Sequence, residues 1–172
     1  MNKSKIHFIT GGQRSGKSEY AETIALKLSD MPLYLATSKV WDEEFNKRIE
    51  IHKERRKTGW ITIEEAVNIS SIDVSSKLIL LDCITLWLTN VMDENEYDME
   101  KSLKFAMGEW DKFIELNNEI IVVSNEIGLG IIPMEKSTRQ FVDLQGKMNQ
   151  YIAQKATQVT FMVSGIPMQI KG

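Results

Sequence analysis

Gly11-Gly12-Gln13-Arg14-Ser15-Gly16-Lys17-Ser18 follows the apolar run Ile6-His7-Phe8-Ile9-Thr10 and leads directly into a helical pattern. No other stretch constrains the chain as strongly. The spacing is G-x-x-x-x-G-K-[ST], set between a strand and a helix as that pattern requires. Its glycines let the backbone curl until successive N–H groups converge into an anion-binding nest. Lys17 brings a positive charge to β- and γ-phosphates, and Ser18 sets a hydroxyl where a phosphate-bound Mg²⁺ would need one. The helix that begins there, "KSEYAETIALKL", adds the positive end of its dipole. The expected ligand is therefore the tail of a nucleoside triphosphate. A turn that matched the spacing by accident would lack this flanking context.

The rest of the chain alternates short apolar runs with longer helical patterns. Strands are predicted at Lys5–Thr10, Leu33–Ala36, Trp60–Ile63, Lys77–Asp82, Glu119–Ser124 and Gln158–Val163, with Pro167–Lys171 folding back as an antiparallel edge after Ser164-Gly165. Helices are predicted over Lys17–Ser29, Trp41–Arg56, Met99–Leu116 and Ser137–Ala156. "LILLD" and "IIVVS" are apolar almost throughout, as strands covered on both faces are. The expected fold is thus α/β: a mostly parallel sheet of the P-loop NTPase type, helices on both faces. Met92–Asp98, "MDENEYD", reads as a polar surface loop, too short for a domain boundary. Residues 1–172 are expected to form one domain.

Several classes are disfavoured by composition. A net charge of −3 with both signs dispersed offers no broad basic footprint for nucleic acid. The single cysteine, Cys83, permits neither an internal disulfide nor a cysteine-rich metal site. The opening residues carry too few apolar positions for a secretory core, and no run reaches the roughly 20 apolar residues of a membrane span. A cytoplasmic protein is expected.

A P-loop lysine and serine leave a bound metal in need of a carboxylate from a neighbouring strand. Asp82 ends the run "KLILLD", at the carboxyl edge where open α/β sheets bind ligands. It also suits a capping role for the turn into "CITLWL". The guanine-reading N-K-x-D and the switch D-x-x-G of GTPases are both missing, which leaves small enzymes that move phosphoryl or nucleotidyl groups. In "WDEEFNKRIEIHKERRKTGW", Trp41, Phe45, Ile49, His52 and Arg56 share one helical face, with Arg48 and Arg55 nearby. Two readings of His52 stand on spacing alone. It is either a satisfied, half-buried ring or a nucleophile kept neutral by surrounding cations and aimed at phosphorus.

Taken together, "TGGQRSGKS", "YLATS", "RIEIHKERR", "LLDCITLWLTN", "VSNEIGLGIIP" and the block around "DLQGKMNQYIA" resemble the bifunctional adenosylcobinamide kinase/adenosylcobinamide-phosphate guanylyltransferase family of cobalamin biosynthesis. The likeness runs in order from about Ile6 to Lys171. It implies a histidine that carries GMP covalently, which falls on His52 within Arg48-Ile49-Glu50-Ile51-His52. It implies nucleotide contacts from the loop Gly11, Gly12, Gln13, Arg14, Ser15, Gly16, Lys17 and Ser18. Further contacts fall on Ala36, Thr37 and Ser38, on Lys53, Glu54, Arg55 and Arg56, and on Glu64 and Asp82. Ser18 and Asp82 would hold Mg²⁺, Lys17 and His52 would be catalytic, and GTP or ATP would be co-substrate. The corrinoids adenosylcobinamide and its phosphate would be the partners, in a homo-oligomer that relatives form as a trimer. Two departures are small: Gln13 stands where relatives carry alanine, and Ile51 where some carry a second histidine. Two rivals remain at this stage, a monofunctional small-molecule kinase with a structural His52 and a non-catalytic nucleotide-dependent scaffold.

Overall fold

The computed structural model describes residues 4–39, 58–73, 78–115 and 119–172. The predicted helix Trp41–Arg56, with His52, Lys53, Glu54, Arg55 and Arg56, lies outside the described residues. In chain order the elements are β1 (Lys5–Gly11), α1 (Lys17–Leu28), β2 (Leu33–Ala36), β3 (Ile61–Glu64), a 3₁₀ turn (Ile69–Ser71) and β4 (Leu78–Asp82). There follow α2 (Ile84–Glu94), α3 (Met99–Ile114), β5 (Glu119–Asn125), α4 (Lys136–Lys155), β6 (Gln158–Val163) and β7 (Ile166–Lys171).

The described strands form one sheet in the order β3-β2-β4-β5-β1-β6-β7. All neighbours pair in parallel except β6 and β7, as the alternation of runs in the sequence predicts. β7 returns through Ser164 and Gly165, whose φ values of 50° and 84° are those of a tight two-residue hairpin turn.

Side-chain alternation along the strands divides the core into two layers. Ile6, Phe8, Leu33, Leu35, Ile79, Leu81, Ile120 and Val122 face α2, α3 and α4. Ile9, Tyr34, Leu78, Leu80, Ile121 and Val123 face Ala21 and Ala25 of α1. Helices therefore stand on both faces. Trp87 and Trp110 are fully buried in the first layer, the packing role their apolar surroundings suggest.

Three expectations need correction. Strand β3 begins one residue later than predicted, because Ile61 pairs with Leu33 while Trp60 sets its ring edge-on against Tyr34, centroids 5.8 Å apart. Helix α2 was not predicted, yet Ile84, Trp87, Leu88, Val91 and Met92 fall at helical spacing and are buried together. That helix also takes up the first residues of the expected loop Met92–Asp98, which shrinks to a turn in which Glu96 and Tyr97 have φ of 53° and 61°. Asp98 then caps α3, accepting the Lys101 N–H at 3.0 Å.

Candidate active site

Six parallel strands deliver their carboxyl ends to one edge of the sheet. One rung of the ladder runs Glu64, Ala36, Asp82, Val123, Ile9, Thr160 across β3, β2, β4, β5, β1 and β6. The glycine-bearing loop of residues 11–18 leaves β1 two residues beyond that rung. Asp82 stands two strands away from β1, a backbone separation of roughly 10 Å, and Glu64 about 19 Å away at the outer strand. The residues singled out in β1, β2, β3 and β4 are therefore brought to one edge, in a line.

Two glycines of the loop stand where a side chain is crowded out or strained. A Cβ on Gly11 would come within 2.5 Å of the Met162 carbonyl oxygen, so β6 leaves room for glycine alone. Gly16 has φ 89° and provides the N-cap of α1, a conformation that L side chains seldom adopt. The Ser15 N–H donates to the Gly12 carbonyl at 3.3 Å, and Gly165 N–H donates to the Ser15 carbonyl at 3.0 Å, which ties the loop to the β6–β7 turn. Lys17 is buried, with Nζ donating to the Gly12 carbonyl at 2.6 Å and lying 3.5 Å from Ser15 Oγ. Its ammonium is thus folded into the cradle of the loop. Gln13 and Arg14 are exposed at the loop tip, and Ser18 is half-buried in the first turn of α1.

Electrostatics join this loop to β4. Burial lowers the Lys17 pKa, and the charges of Cys83 and Asp82 oppose that shift. Burial, then the adjacent Asp82 charge, pushes the Cys83 thiol up to about 12. At neutral pH Cys83 is accordingly a protonated thiol, and Asp82 is the counter-charge that Lys17 feels. The carboxylate of Asp82 does not cap α2, whose N-cap is Cys83 without a side-chain bond. Instead Asp82 Oδ2 accepts the Tyr34 phenol at 2.9 Å.

The "ATS" turn is built around a buried hydroxyl. Thr37 Oγ1 donates to the Cys83 carbonyl at 2.8 Å and accepts the Cys83 N–H at 2.9 Å. Asn90 of α2 donates from Nδ2 to the Thr37 carbonyl at 2.7 Å and to the Ala66 carbonyl at 3.0 Å. This braces the ends of β2, β3 and β4 against one another, with Ala36 and Ser38 half-buried on either side. Glu64 is exposed at the end of β3.

Sequence reasoning missed a second polar group, at the end of β5. Ser124 Oγ donates to Asn149 Oδ1 at 2.7 Å, and Gln145 Nε2 donates to Ser124 Oγ at 2.6 Å. Asn149 Nδ2 and Gln145 Nε2 both donate to the Asn125 carbonyl, at 3.1 and 3.4 Å. The Glu126 N–H reaches back to the Gly11 carbonyl at 2.8 Å. The signal was present in α4, where Gln145 and Asn149 interrupt the apolar stripe Leu144, Met148, Ile152 at a spacing of four. The helix face of Arg139, Asp143, Gly146 and Gln150 lies elsewhere, and Arg139 donates to the carbonyls of Pro133 and Met134. It fastens the loop 126–135, on which Leu129, Ile131, Ile132 and Met134 are all more than three-quarters exposed.

A buried lysine in a glycine-bearing loop and a carboxylate held by Tyr34 on a nearby strand, both at the carboxyl edge of the sheet, suit a phosphorylated ligand. Comparison with known proteins agrees with that class. The family model described as cobinamide kinase / cobinamide phosphate guanyltransferase matches residues 7–170. The bifunctional adenosylcobalamin biosynthesis protein CobP of Pseudomonas aeruginosa is 40% identical, the alignment covering 95% of this chain and 96% of that protein. The bifunctional adenosylcobalamin biosynthesis protein CobU of Escherichia coli K12 is 34% identical over 95% of this chain and 98% of its own length. A CobU of Salmonella typhimurium is likewise 34% identical, over 95% of this chain and 98% of that protein. With the match spanning nearly every element from β1 to β7, the chain belongs to the cobinamide kinase / cobinamide phosphate guanyltransferase family.

Proposed function

We propose that this protein phosphorylates adenosylcobinamide and then transfers GMP from GTP to adenosylcobinamide phosphate, through a guanylyl group carried on His52. Family membership carries this reading, since the matched span of residues 7–170 includes both the anion loop and His52. The geometry of the strand edge supports the nucleotide part. Backbone amides of the loop and the ammonium of Lys17 would neutralise phosphate charge, the main requirement of phosphoryl transfer. An extended triphosphate laid along the edge would run from the loop on β1 towards Ala36, Thr37, Ser38 and Glu64.

A hard divalent cation fits the donor set. Among the described residues no three of His, Cys, Asp and Glu cluster for a metal, and the ligands expected here are one carboxylate, Asp82, and the Ser18 hydroxyl. That pattern suits Mg²⁺, which keeps waters and takes phosphate oxygens as its remaining ligands. Held by Ser18 and Asp82, it would supply further charge neutralisation at the phosphates. Lys17 would leave the Gly12 carbonyl for the phosphate oxygens as the ligand enters.

In the first reaction the hydroxyl of the aminopropanol arm attacks the terminal phosphorus, and the nucleoside diphosphate leaves. In the second, a neutral His52 nitrogen attacks the α-phosphorus of GTP and expels pyrophosphate. The phosphate of adenosylcobinamide phosphate then displaces the imidazole and takes up GMP. A covalent relay of this kind divides one hard displacement into two easier ones. The exposed apolar side chains of Leu129, Ile131, Ile132 and Met134 border the same edge and suit the broad face of a corrinoid.

GTP labelled at the α-phosphate tests the relay directly. With Mg²⁺, the wild type is expected to take up acid-labile, alkali-stable label that adenosylcobinamide phosphate discharges, and His52→Ala to take up none. An unlabelled wild type would refute the covalent step.

A further inference from the structure

β5 is the strand between the anion-loop strand β1 and the Asp82 strand β4. Its last residue, Asn125, is in register with Gly11, the first residue of the anion loop. Alternation along β5 places Asn125 on the same side as Ile121 and Val123, which pack in the layer of α1. Asp82 follows Leu78 and Leu80 onto that side by the same rule. The half-buried carboxamide of Asn125 therefore sits between the Lys17 loop and Asp82, on the face from which α1 rises.

Nearly every polar group of Asn125 is already held. Asn149 and Gln145 grip its carbonyl from the opposite face, and its backbone N–H donates to Thr85 Oγ1 at 3.1 Å. The side-chain Nδ2 donates to the same Thr85 oxygen at 3.0 Å, and Oδ1 has no hydrogen-bond partner among the described residues. A hydroxyl that accepts a backbone N–H keeps its own proton to donate. A half-turn of the carboxamide puts Oδ1 there to receive that proton, and Nδ2 then presents its N–H donors outward. Turned in this way and tethered by Thr85, the carboxamide sets a donor between a lysine and a carboxylate, on a backbone that α4 holds in place, a setting suited to an anion.

We propose that the Asn125 carboxamide donates to the terminal phosphoryl group of the bound triphosphate, with Thr85, Gln145 and Asn149 as positioning residues. This rests on the nucleotide reading above and adds to it a contact that distinguishes a triphosphate from a diphosphate. Such a donor costs nothing to reorganise as charge shifts onto the transferring oxygens.

Asn125→Asp provides the test, because the carboxylate keeps an acceptor for the Thr85 hydroxyl while replacing the outward donor with negative charge. Calorimetry with Mg²⁺ would compare a non-hydrolysable GTP analogue with GDP. The variant is expected to bind the analogue at least about tenfold more weakly and GDP within about twofold of wild type, with kinase kcat down roughly 10- to 100-fold. Equal losses for both nucleotides, or no loss for either, would overturn the proposal. If the variant does not fold, ¹⁵N spectra of the wild type decide. The Asn125 side-chain amide signals should move on adding the analogue and stay in place with GDP, and identical responses would overturn the contact. A wild type that binds neither nucleotide would bring down the nucleotide reading itself, whereas normal wild-type binding with an indifferent Asn125→Asp removes only this contact.

Discussion

Tyr34 and Asp82 are joined across neighbouring strands, the buried phenol donating to Oδ2 at 2.9 Å while its ring is wedged against Trp60. Asp82 thereby has one oxygen fixed, while Oδ1 has no hydrogen-bond partner among the described residues. Tyr34→Phe removes the donor and keeps the ring. The carboxylate should then lose orientation, weakening the Mg²⁺ dependence of nucleotide binding about three- to tenfold at a stability cost of about 1 kcal/mol. Titrating activity against Mg²⁺ checks this, and an unshifted curve would show that Asp82 is not oriented for a cation.

Thr37 makes a sharper structural prediction. Its hydroxyl both donates to the Cys83 carbonyl and accepts the Cys83 N–H, and Thr37 itself is fully buried. Thr37→Val leaves the buried Cys83 N–H without a partner, while the Cys83 carbonyl keeps the Trp87 N–H at 3.1 Å, and should cost roughly 1–3 kcal/mol in urea denaturation. Thr37→Ser retains the hydroxyl and should recover most of the loss. A valine variant as stable as wild type would mean that the turn is held by Asn90 alone.

These two relationships also show which parts of the site the sequence discloses. The loop of residues 11–18 is legible because its pattern is local: glycines, lysine and serine lie within eight residues of one another. Asp82 is legible because it ends an apolar run, so its position at a sheet edge follows from the strand. The partners that hold these groups are not local. Tyr34 reads as one more core residue of "LYLA" until β2 is known to lie beside β4. Asn125 reads as a loop residue until β5 is known to separate β1 from β4, an order that chain sequence does not give. Helix α2 escaped for a different reason. Its residues "ITLWLTNVM" are rich in β-branched side chains and carry no capping side chain, so propensity argued against a helix that burial imposes.

His7 offers a prediction about pH. It lies in β1 with Nε2 2.8 Å from Thr160 Oγ1, between β5 and β6, its paired neighbours Ile121 and Gln158 being uncharged. Burial disfavours the imidazolium, so its pKa is lowered from the ordinary 6.5 in the folded protein. The unfolded chain then binds a proton that the folded chain resists. The contribution of His7 is therefore fully present above about pH 6.5 and is lost as pH falls below that value towards the folded pKa. Other groups also destabilise the protein in acid, so the informative quantity is the difference between wild type and His7→Asn. Urea unfolding at pH 8, 7, 6 and 5 should show that difference moving in favour of the variant only as pH drops below about 7, because asparagine has no proton to gain. Two stability curves that stay parallel across this range would mean that the strand accommodates the charged ring at no cost, with Thr160 accepting its proton.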